Sequence, residues 1–363
     1  MNYDEIIAEL RKKLGDSREE NEKILKAEAE RFVNEKNAAG VDAVSQLVYE
    51  NMPEERRAEV DRITHVDGVR LDEMYKKIVD HINKGEYVEA KPLAERLYKK
   101  ITVEFREGET AKFVSLRNPF EDNLYQILFK PDKKLNRAPY DFATFITSYA
   151  YIMLETGSPL DAIPILKKAE EFNPVDVGPK FELCEVYKLL KNKKRLLETT
   201  REILKVASSP VAIARAYANV GYILTDFQEY EDAACFYIGS AMFAPNPAIP
   251  REMQHLADLK GSPIYRPNRE KIIETMNKYE IEFGPNQKVI EIAAQMSLDY
   301  QKKNEIPNAV RTLKILYNLT LDEQVKKTIL AYEPEARMIV PADNEEKPNI
   351  QQTVNNVPEN DEN

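Results

Sequence analysis

Small residues and prolines recur along this chain at a fixed spacing, and no other feature constrains the fold as strongly. The segment TGSPLDAIPILKKAEEFNPVD, residues 156–176, has alanine at positions 162 and 169 and proline at position 174. The same places lie 71 residues further on and hold Ala233, Ser240 and Pro245. Because 71 residues correspond to two units of about 34 residues plus three, the spacing predicts a chain of repeated units.

Each unit is predicted to be a pair of antiparallel helices. Apolar residues recur three and four positions apart from residue 140 to residue 155, which is typical of a helix with one buried face. Gly157 ends this helix, and the sequence SPLD at 158–161 is typical of a helix start, with a hydroxyl, a proline and an acid close together. Asn173-Pro174 ends the second helix. The small residues then let the two helices approach closely.

This pattern resembles the tetratricopeptide repeat (TPR), in which helix pairs of 34 residues stack into a superhelix. The unit at 214–247 matches best, the unit at 143–176 is next, and residues 290–323 are in register. The unit at 177–210 is degenerate, because Leu196 stands where the repeat has alanine. The resemblance, which extends to bacterial TPR proteins of similar length, implies an all-α, TPR-like superhelical α-solenoid over residues 70–338. It implies no activity, because the repeat is a scaffold for unrelated tasks.

The segments on either side of the solenoid differ from it in composition. Residues 1–69 are charged and predict an additional N-terminal helical segment. This segment is either a helical hairpin docked on the solenoid or an arm that binds a partner or a second copy. Residues 339–363 are polar, acidic and contain proline, and we expect a disordered tail because they offer too little apolar surface to bury.

Several pieces depart from the repeat pattern. Residues 109–117, ETAKFVSLR, predict a short strand or an extended loop, and we favour the loop. Asn-Pro at 118–119 predicts a helix start. Pro164 lies inside a predicted helix, where it should kink the helix or loosen one hydrogen bond. Thr320 and Glu323 predict a capping box before a last helix, which would cover the final apolar face.

Charge and hydropathy exclude several classes of partner. The formal net charge of −10 opposes binding to nucleic acid. The sequence contains no run of 18 apolar residues and no signal-peptide pattern. We therefore expect a cytoplasmic protein that binds neither nucleic acid nor membrane.

Residues that carry chemistry are sparse. The three histidines, at positions 65, 81 and 255, are too scattered to predict a metal site, and His65 is expected in a turn. Cys184 and Cys235 lie in predicted helices outside any metal or redox motif, so we expect buried structural thiols. The sequence has no phosphate-binding, dinucleotide-binding or zinc-protease motif. We expect neither enzyme activity nor a cofactor.

The resemblance also implies a binding surface, because in the TPR family the first helices of the pairs line a concave inner wall. The family's wall positions, carried onto three units, are Thr147, Ser148, Tyr151, Glu155, Phe181, Glu182, Glu185, Lys188, Arg215, Asn219, Tyr222 and Asp226. From these we take as the candidate ligand groove Tyr151, Glu155, Phe181, Glu185, Arg215, Asn219 and Tyr222. Aromatic residues and arginine are the types that most often anchor interfaces.

The charges of this wall indicate what kind of ligand it accepts. Glu182 and Glu185 would repel the C-terminal carboxylate of a peptide, so a basic or neutral extended peptide, or a partner helix, fits better. The sequence thus favours a protein-interaction scaffold. Two alternatives stay open: a peptide-responsive regulator with a TPR sensor domain, and an enzyme or a non-catalytic subunit of an enzyme complex.

Overall fold

The structure is a computed structural model that describes residues 2–35 and 37–336. The described residues form an all-α fold with two short two-stranded sheets. They divide into two compact units between Lys76 and Lys77, a few residues after the expected boundary at 69/70. The tail expected at 339–363 lies outside the described residues. Every helix in the described part of the chain is too short or too polar to cross a lipid bilayer.

The N-terminal unit is built from helices and one short hairpin. Its elements are α1 (Tyr3–Lys13), α2 (Arg18–Asn34), α3 (Ala38–Asn51), α4 (Glu54–Thr64), β1 (His65–Val66), β2 (Val69–Arg70) and the first part of α5 (Leu71–Asn83). Helices α1, α2 and α3 share a core that includes Leu25, Phe32 and Leu47. A Cβ atom on Gly40 would lie 2.2 Å from the ring of Phe32, so glycine at this position lets α3 approach α2.

His65 was expected in a turn, and the structure places it in strand β1 instead. The turn lies two residues later, at Asp67-Gly68, which joins the antiparallel pair β1–β2. Both turn residues have positive φ angles, 51° and 74°, as a two-residue hairpin turn requires.

The C-terminal unit consists mainly of paired helices. Its elements after α5 are α6 (Tyr87–Glu104), β3 (Ala111–Val114), α7 (Pro119–Phe129), β4 (Lys134–Arg137), α8 (Phe142–Glu155), α9 (Pro159–Phe172), α10 (Gly178–Leu189), α11 (Lys193–Val206), α12 (Pro210–Asp226), α13 (Tyr230–Ala241), α14 (Ile249–Lys260), α15 (Arg269–Lys278), α16 (Gln287–Lys302), α17 (Ile306–Thr320) and α18 (Glu323–Tyr332). The most extensive contacts in this unit join α8 to α9, α12 to α13 and α16 to α17, and α11 contacts α10 and α12 to the same extent.

Small side chains lie where paired helices approach each other. Ala162 and Ala233, the alanines that define the repeat spacing, are fully buried. The hydroxyl of Ser240 on α13 donates a 2.7 Å hydrogen bond to the backbone carbonyl of Ala214 on α12. A Cβ atom on Gly221 of α12 would lie 2.8 Å from the ring of Tyr237 on α13. Larger side chains at these places would force the helices apart.

The segment favoured as a loop at 109–117 contains strand β3, so that expectation was wrong. Strand β3 pairs in parallel with β4, and the helix between them, α7, begins at Asn118-Pro119 as predicted. Beyond the strand, the amide of Ser115 donates a 2.7 Å hydrogen bond to the carbonyl of Phe172 at the end of α9. The partners of β3 lie about 20 to 60 residues away in sequence, and local patterns do not reveal such pairing.

The last helix, α18, starts with a different cap from the one predicted. The last helix is capped by Asp322, whose carboxylate accepts from the amides of Gln324 and Val325. The predicted capping box was wrong, because Thr320 is still inside α17.

Pro164 is accommodated within α9, which runs unbroken from Pro159 to Phe172. Because Pro164 has no N–H, the hydrogen bond missing from α9 is the one to the carbonyl of residue 160.

The chain after α15 returns to earlier helices. Arg201 of α11 donates to the carbonyl of Tyr279 at 2.7 Å. Tyr217 of α12 donates to the carbonyl of Glu282 and accepts from the amide of Gly284, both at 2.8 Å. Helix α16 then packs against α7. We call residues 279–284 the return segment, because they bring the α16–α17 pair back toward the start of this unit.

Candidate functional site

The first helices of three consecutive pairs lie side by side. Helix α10 contacts α8 on one side and α12 on the other. The candidate groove residues are spaced three or four positions apart on each helix, so each helix contributes one face to a common surface. We call this surface the α8–α10–α12 wall.

Arg215 connects α12 to α10 through three contacts. Its guanidinium lies over the ring of Phe181, 4.3 Å from the ring centroid. It also lies 3.8 Å from a carboxylate oxygen of Glu182 and 3.7 Å from one of Glu185. The Arg215 side chain is about half exposed, so these ion pairs are weak, whereas the cation–π contact orients the guanidinium.

Tyr222 lies two turns beyond Arg215 on α12, and the residue is 46% exposed. The ammonium of Lys188 lies 5.1 Å from the ring centroid and forms an ion pair of 2.9 Å with Glu185. Partial burial raises the pKa of Tyr222, and the carboxylates of Asp226, Glu185 and Glu252 raise it further. The surroundings of this tyrosine are therefore electronegative.

Glu182 is the least solvated carboxylate among the predicted wall acids. Burial raises its pKa, Arg215 and Lys188 act in the opposite direction, and Glu185 and Glu155 add to the increase. The influence of Glu155, which ends α8, indicates that acids of neighbouring helices act on one another along the wall. Negative charge is therefore concentrated across the boundary between α8 and α10.

Tyr151 extends the wall toward α6. Its hydroxyl lies 3.3 Å from that of Tyr87, and the two rings meet edge to face with centroids 5.9 Å apart. The hydrogen bond to Tyr87, burial and the charge of Glu155 all raise the pKa of Tyr151. Both tyrosines are half-buried, and each phenol keeps a polar tip at the surface.

Two of the candidate groove residues lie beneath the surface. Phe181 and Asn219 are 4% and 5% exposed, so they form the floor of the wall. The Nδ2 atom of Asn219 has no hydrogen-bond partner within the described residues. Its amide faces the thiol of Cys184, whose pKa is raised to about 12 by burial, against the smaller effects of Lys188, Asn219 and Thr200.

Both cysteines are free and buried, as the sequence predicted. Burial also raises the pKa of Cys235. A thiol with a raised pKa in an apolar setting is a poor nucleophile, so the wall contains no activated thiolate. Within residues 2–35 and 37–336, no three or more His, Cys, Asp or Glu side chains are arranged to hold a metal ion.

Contacts join part of the candidate set: Arg215 lies against Phe181 and Glu185, and Lys188 links Glu185 to Tyr222. Tyr151, Glu155, Glu185, Arg215 and Tyr222 are exposed or half-exposed, and Phe181 and Asn219 lie below them. The sequence did not identify Tyr87 and Glu252 as contributors. Both come from elements outside the three best-matched first helices, so only the packing of the helices brings them to the wall.

The α8–α10–α12 wall combines aromatic and charged side chains. It offers exposed aromatic rings, two cations already engaged with carboxylates, and a surplus of acids.

The chain was compared with protein-family models and with curated proteins. No family model and no curated protein matches it significantly.

Proposed function

We propose that this protein is a non-catalytic interaction scaffold of TPR-like helix pairs, and that its α8–α10–α12 wall binds a peptide or a partner helix. The observation that carries the proposal is the continuity of the wall. Side chains of α10 and α12 contact each other directly, through Arg215 on Phe181 and Lys188 on Tyr222, so they form one surface. Tyrosine and arginine, both exposed on this wall at Tyr222 and Arg215, are residue types that often anchor interfaces.

The length of the wall fits an extended ligand. Three adjacent helices spaced about 8 to 10 Å apart span a distance that a peptide of several residues covers. A small metabolite would be held better by an enclosed, mostly apolar pocket. We place the scaffold in the cytoplasm as part of the proposal, with protein rather than nucleic acid as its partner.

The chemistry of the wall also indicates which peptides it rejects. The wall positions include four acids, Glu155, Glu182, Glu185 and Asp226, but only two cations, Arg215 and Lys188, so a C-terminal carboxylate would meet a surplus of negative charge. Internal segments of a partner, with neutral or basic side chains, avoid this repulsion.

Selection of peptides from a random library against the full-length protein tests the proposal. We expect the selected peptides to bind wild type and to lose most of their affinity for a Tyr151→Ala/Tyr222→Ala variant. The matched control is Tyr265→Ala/Tyr332→Ala, which removes two tyrosines that are similarly exposed and lie outside the wall. Equal binding to wild type and to the Tyr151/Tyr222 variant would overturn the proposal. Thermal unfolding of all three proteins shows whether the substitutions disturb the fold.

A further inference from the structure

The protein's own cations reveal the chemistry that the wall accepts. The Arg215 guanidinium lies on an aromatic ring with two carboxylates within 4 Å, and the Lys188 ammonium lies on a second ring with one carboxylate at 2.9 Å. An aromatic ring with adjacent acids is an environment that favours a cation.

The two aromatic residues under these cations, Phe181 and Tyr222, differ in how much of each is exposed to solvent. Phe181 is 4% exposed and lies under Arg215, so its cation site is already filled from within the chain. Tyr222 is 46% exposed, although Lys188 lies at 5.1 Å from its centroid. The ring of Tyr222 therefore still offers surface to a second group.

The charge around Tyr222 favours a positive group on that surface. Asp226 lies one turn after Tyr222 on α12. Glu252 of α14 accepts a 3.3 Å hydrogen bond from the hydroxyl of Tyr237, whose ring lies against Gly221, the residue before Tyr222. With Glu185 on α10, both carboxylates raise the pKa of the Tyr222 phenol. Lys188 is paired with Glu185, so Asp226 and Glu252 supply the remaining negative charge. A planar guanidinium stacks on a ring and donates to carboxylates at its edge at the same time, whereas an ammonium is a strongly hydrated point charge.

We propose that the Tyr222 site, formed by Tyr222, Asp226 and Glu252, binds an arginine side chain of the partner. The inference rests on the proposed function, because it names the chemistry of the ligand that the same wall binds. The arginine lies over the exposed part of the Tyr222 ring, beside the carboxylates of Asp226 and Glu252, as Arg215 lies over Phe181 beside Glu182 and Glu185.

Fluorine NMR tests this site without a known partner. A single 3-fluorotyrosine is placed at position 222 in one full-length sample and at position 265 in a control sample. The probes are N-acetyl-arginine amide, the uncharged analogue N-acetyl-citrulline amide, and N-acetyl-lysine amide. We expect the arginine compound to shift the resonance at position 222 in a saturable way. Citrulline should shift it little, lysine should bind more weakly than arginine, and position 265 should not respond.

Variants test whether the carboxylates of Asp226 and Glu252 contribute to arginine binding. The double substitution Asp226→Asn/Glu252→Gln keeps the size of both side chains, and we expect it to weaken arginine binding about fivefold. The control Asp258→Asn/Glu270→Gln changes two acids on α14 and α15 that are not among those acting on Tyr222, and should leave the affinity unchanged. Equal responses to arginine and citrulline, tighter binding of lysine, or no effect of the Asp226/Glu252 substitutions would overturn the inference.

The NMR experiment and the peptide selection together distinguish failure of the arginine site from failure of the proposed function. If selected peptides bind the wall but contain no arginine, the arginine site is refuted and the scaffold proposal stands. If arginine amide binds at Tyr222 but selected peptides ignore the Tyr151→Ala/Tyr222→Ala substitution, the scaffold proposal fails and the arginine site stands only as a site for the free side chain.

Discussion

The hydroxyl of Ser240 on α13 donates a 2.7 Å hydrogen bond to the backbone carbonyl of Ala214 on α12. Ser240 is 1% exposed, so this bond forms inside the contact between the two helices of one pair. Such a bond requires a side chain short enough to keep the two backbones close. It explains in physical terms why the place that recurs 71 residues after Ala169 holds a small residue.

Substitution of Ser240 by leucine should therefore destabilise the protein. The added carbons have no space between α12 and α13, and overpacking of this kind costs about 2 kcal/mol. Ser240→Ala loses only the hydroxyl bond and should cost less than about 1 kcal/mol, since the carbonyl of Ala214 keeps its place in the helix. Urea unfolding of both variants measures the difference. Equal stability of Ser240→Leu and wild type would contradict the close approach.

The return segment should depend on the hydroxyl of Tyr217. Tyr217→Phe removes the donor to the carbonyl of Glu282 and the acceptor for the amide of Gly284. We expect a loss of about 1 to 3 kcal/mol, because both backbone groups would lose their partner. Hydrogen exchange should increase at residues 279–286. Tyr237→Phe, which removes the hydroxyl that contacts Glu252 at 3.3 Å and also Thr225, is the control and should leave exchange in that segment unchanged.

Asn173 should be essential for holding β3 and α7 to the end of α9. It is fully buried, and its Nδ2 atom donates to the carbonyl of Ser115 at 3.3 Å and to the carboxylate of Glu121 at 2.9 Å. Asn173→Ala leaves Glu121 with one fewer donor in a buried place, which should cost about 2 kcal/mol. Asn123→Ala, at an exposed place on α7, should cost less than about 0.5 kcal/mol. Similar losses of unfolding free energy for the two variants would contradict this role.

Glu182 should make stability fall as the pH rises. Its folded-state pKa is raised above the ordinary value of 4.5, first by burial, so the folded state holds the proton more tightly than the unfolded state does. The contribution of Glu182 to stability is therefore present below pH 4.5 and lost as the pH rises through the folded pKa. Glu182→Gln should be more stable than wild type at neutral pH, and the gap should close in acid. Urea unfolding at several pH values measures the gap, and a gap that widens in acid would show the opposite sign.

The two thiols should be protected from reagents in the folded protein. The pKa of Cys184 is about 12, so almost none of it is thiolate near neutral pH, and burial raises the pKa of Cys235 as well. We expect Ellman's reagent to label neither thiol in the native state and to label both in concentrated guanidinium chloride. Rapid labelling of either cysteine under native conditions would show that α10 or α13 opens to solvent.

The arrangement of helices was predictable because its signals are local. Apolar residues three and four apart define α8, and Asn118-Pro119 defines the start of α7. The small residues Ala162 and Ala233 mark where paired helices meet, since a close approach excludes larger side chains. The burial of Cys184 was predicted from its position in a helix outside any metal or redox motif.

Other features depend on partners distant in sequence, and only the tertiary structure decided them. Strand β3 forms because β4 supplies its hydrogen bonds, and the end of α9 accepts from Ser115 just after the strand, so the segment alone was interpreted as a loop. The return segment is held by Arg201 and Tyr217, about 80 and 65 residues before it. Thr320 was predicted to cap the last helix, but α17 extends to Thr320 and Asp322 caps α18 instead.

The same division applies to the wall. Its residues on α8, α10 and α12 were named because the resemblance to the TPR family carries the family's wall positions onto these helices. The sequence could not predict how deeply these residues are buried or which side chains contact them. The burial of Phe181, the cover that Arg215 forms over it and the approach of Tyr87 and Glu252 arise from contacts between helices. Local propensity determines which residues share a helix face, whereas packing determines which faces meet and how much water remains between them.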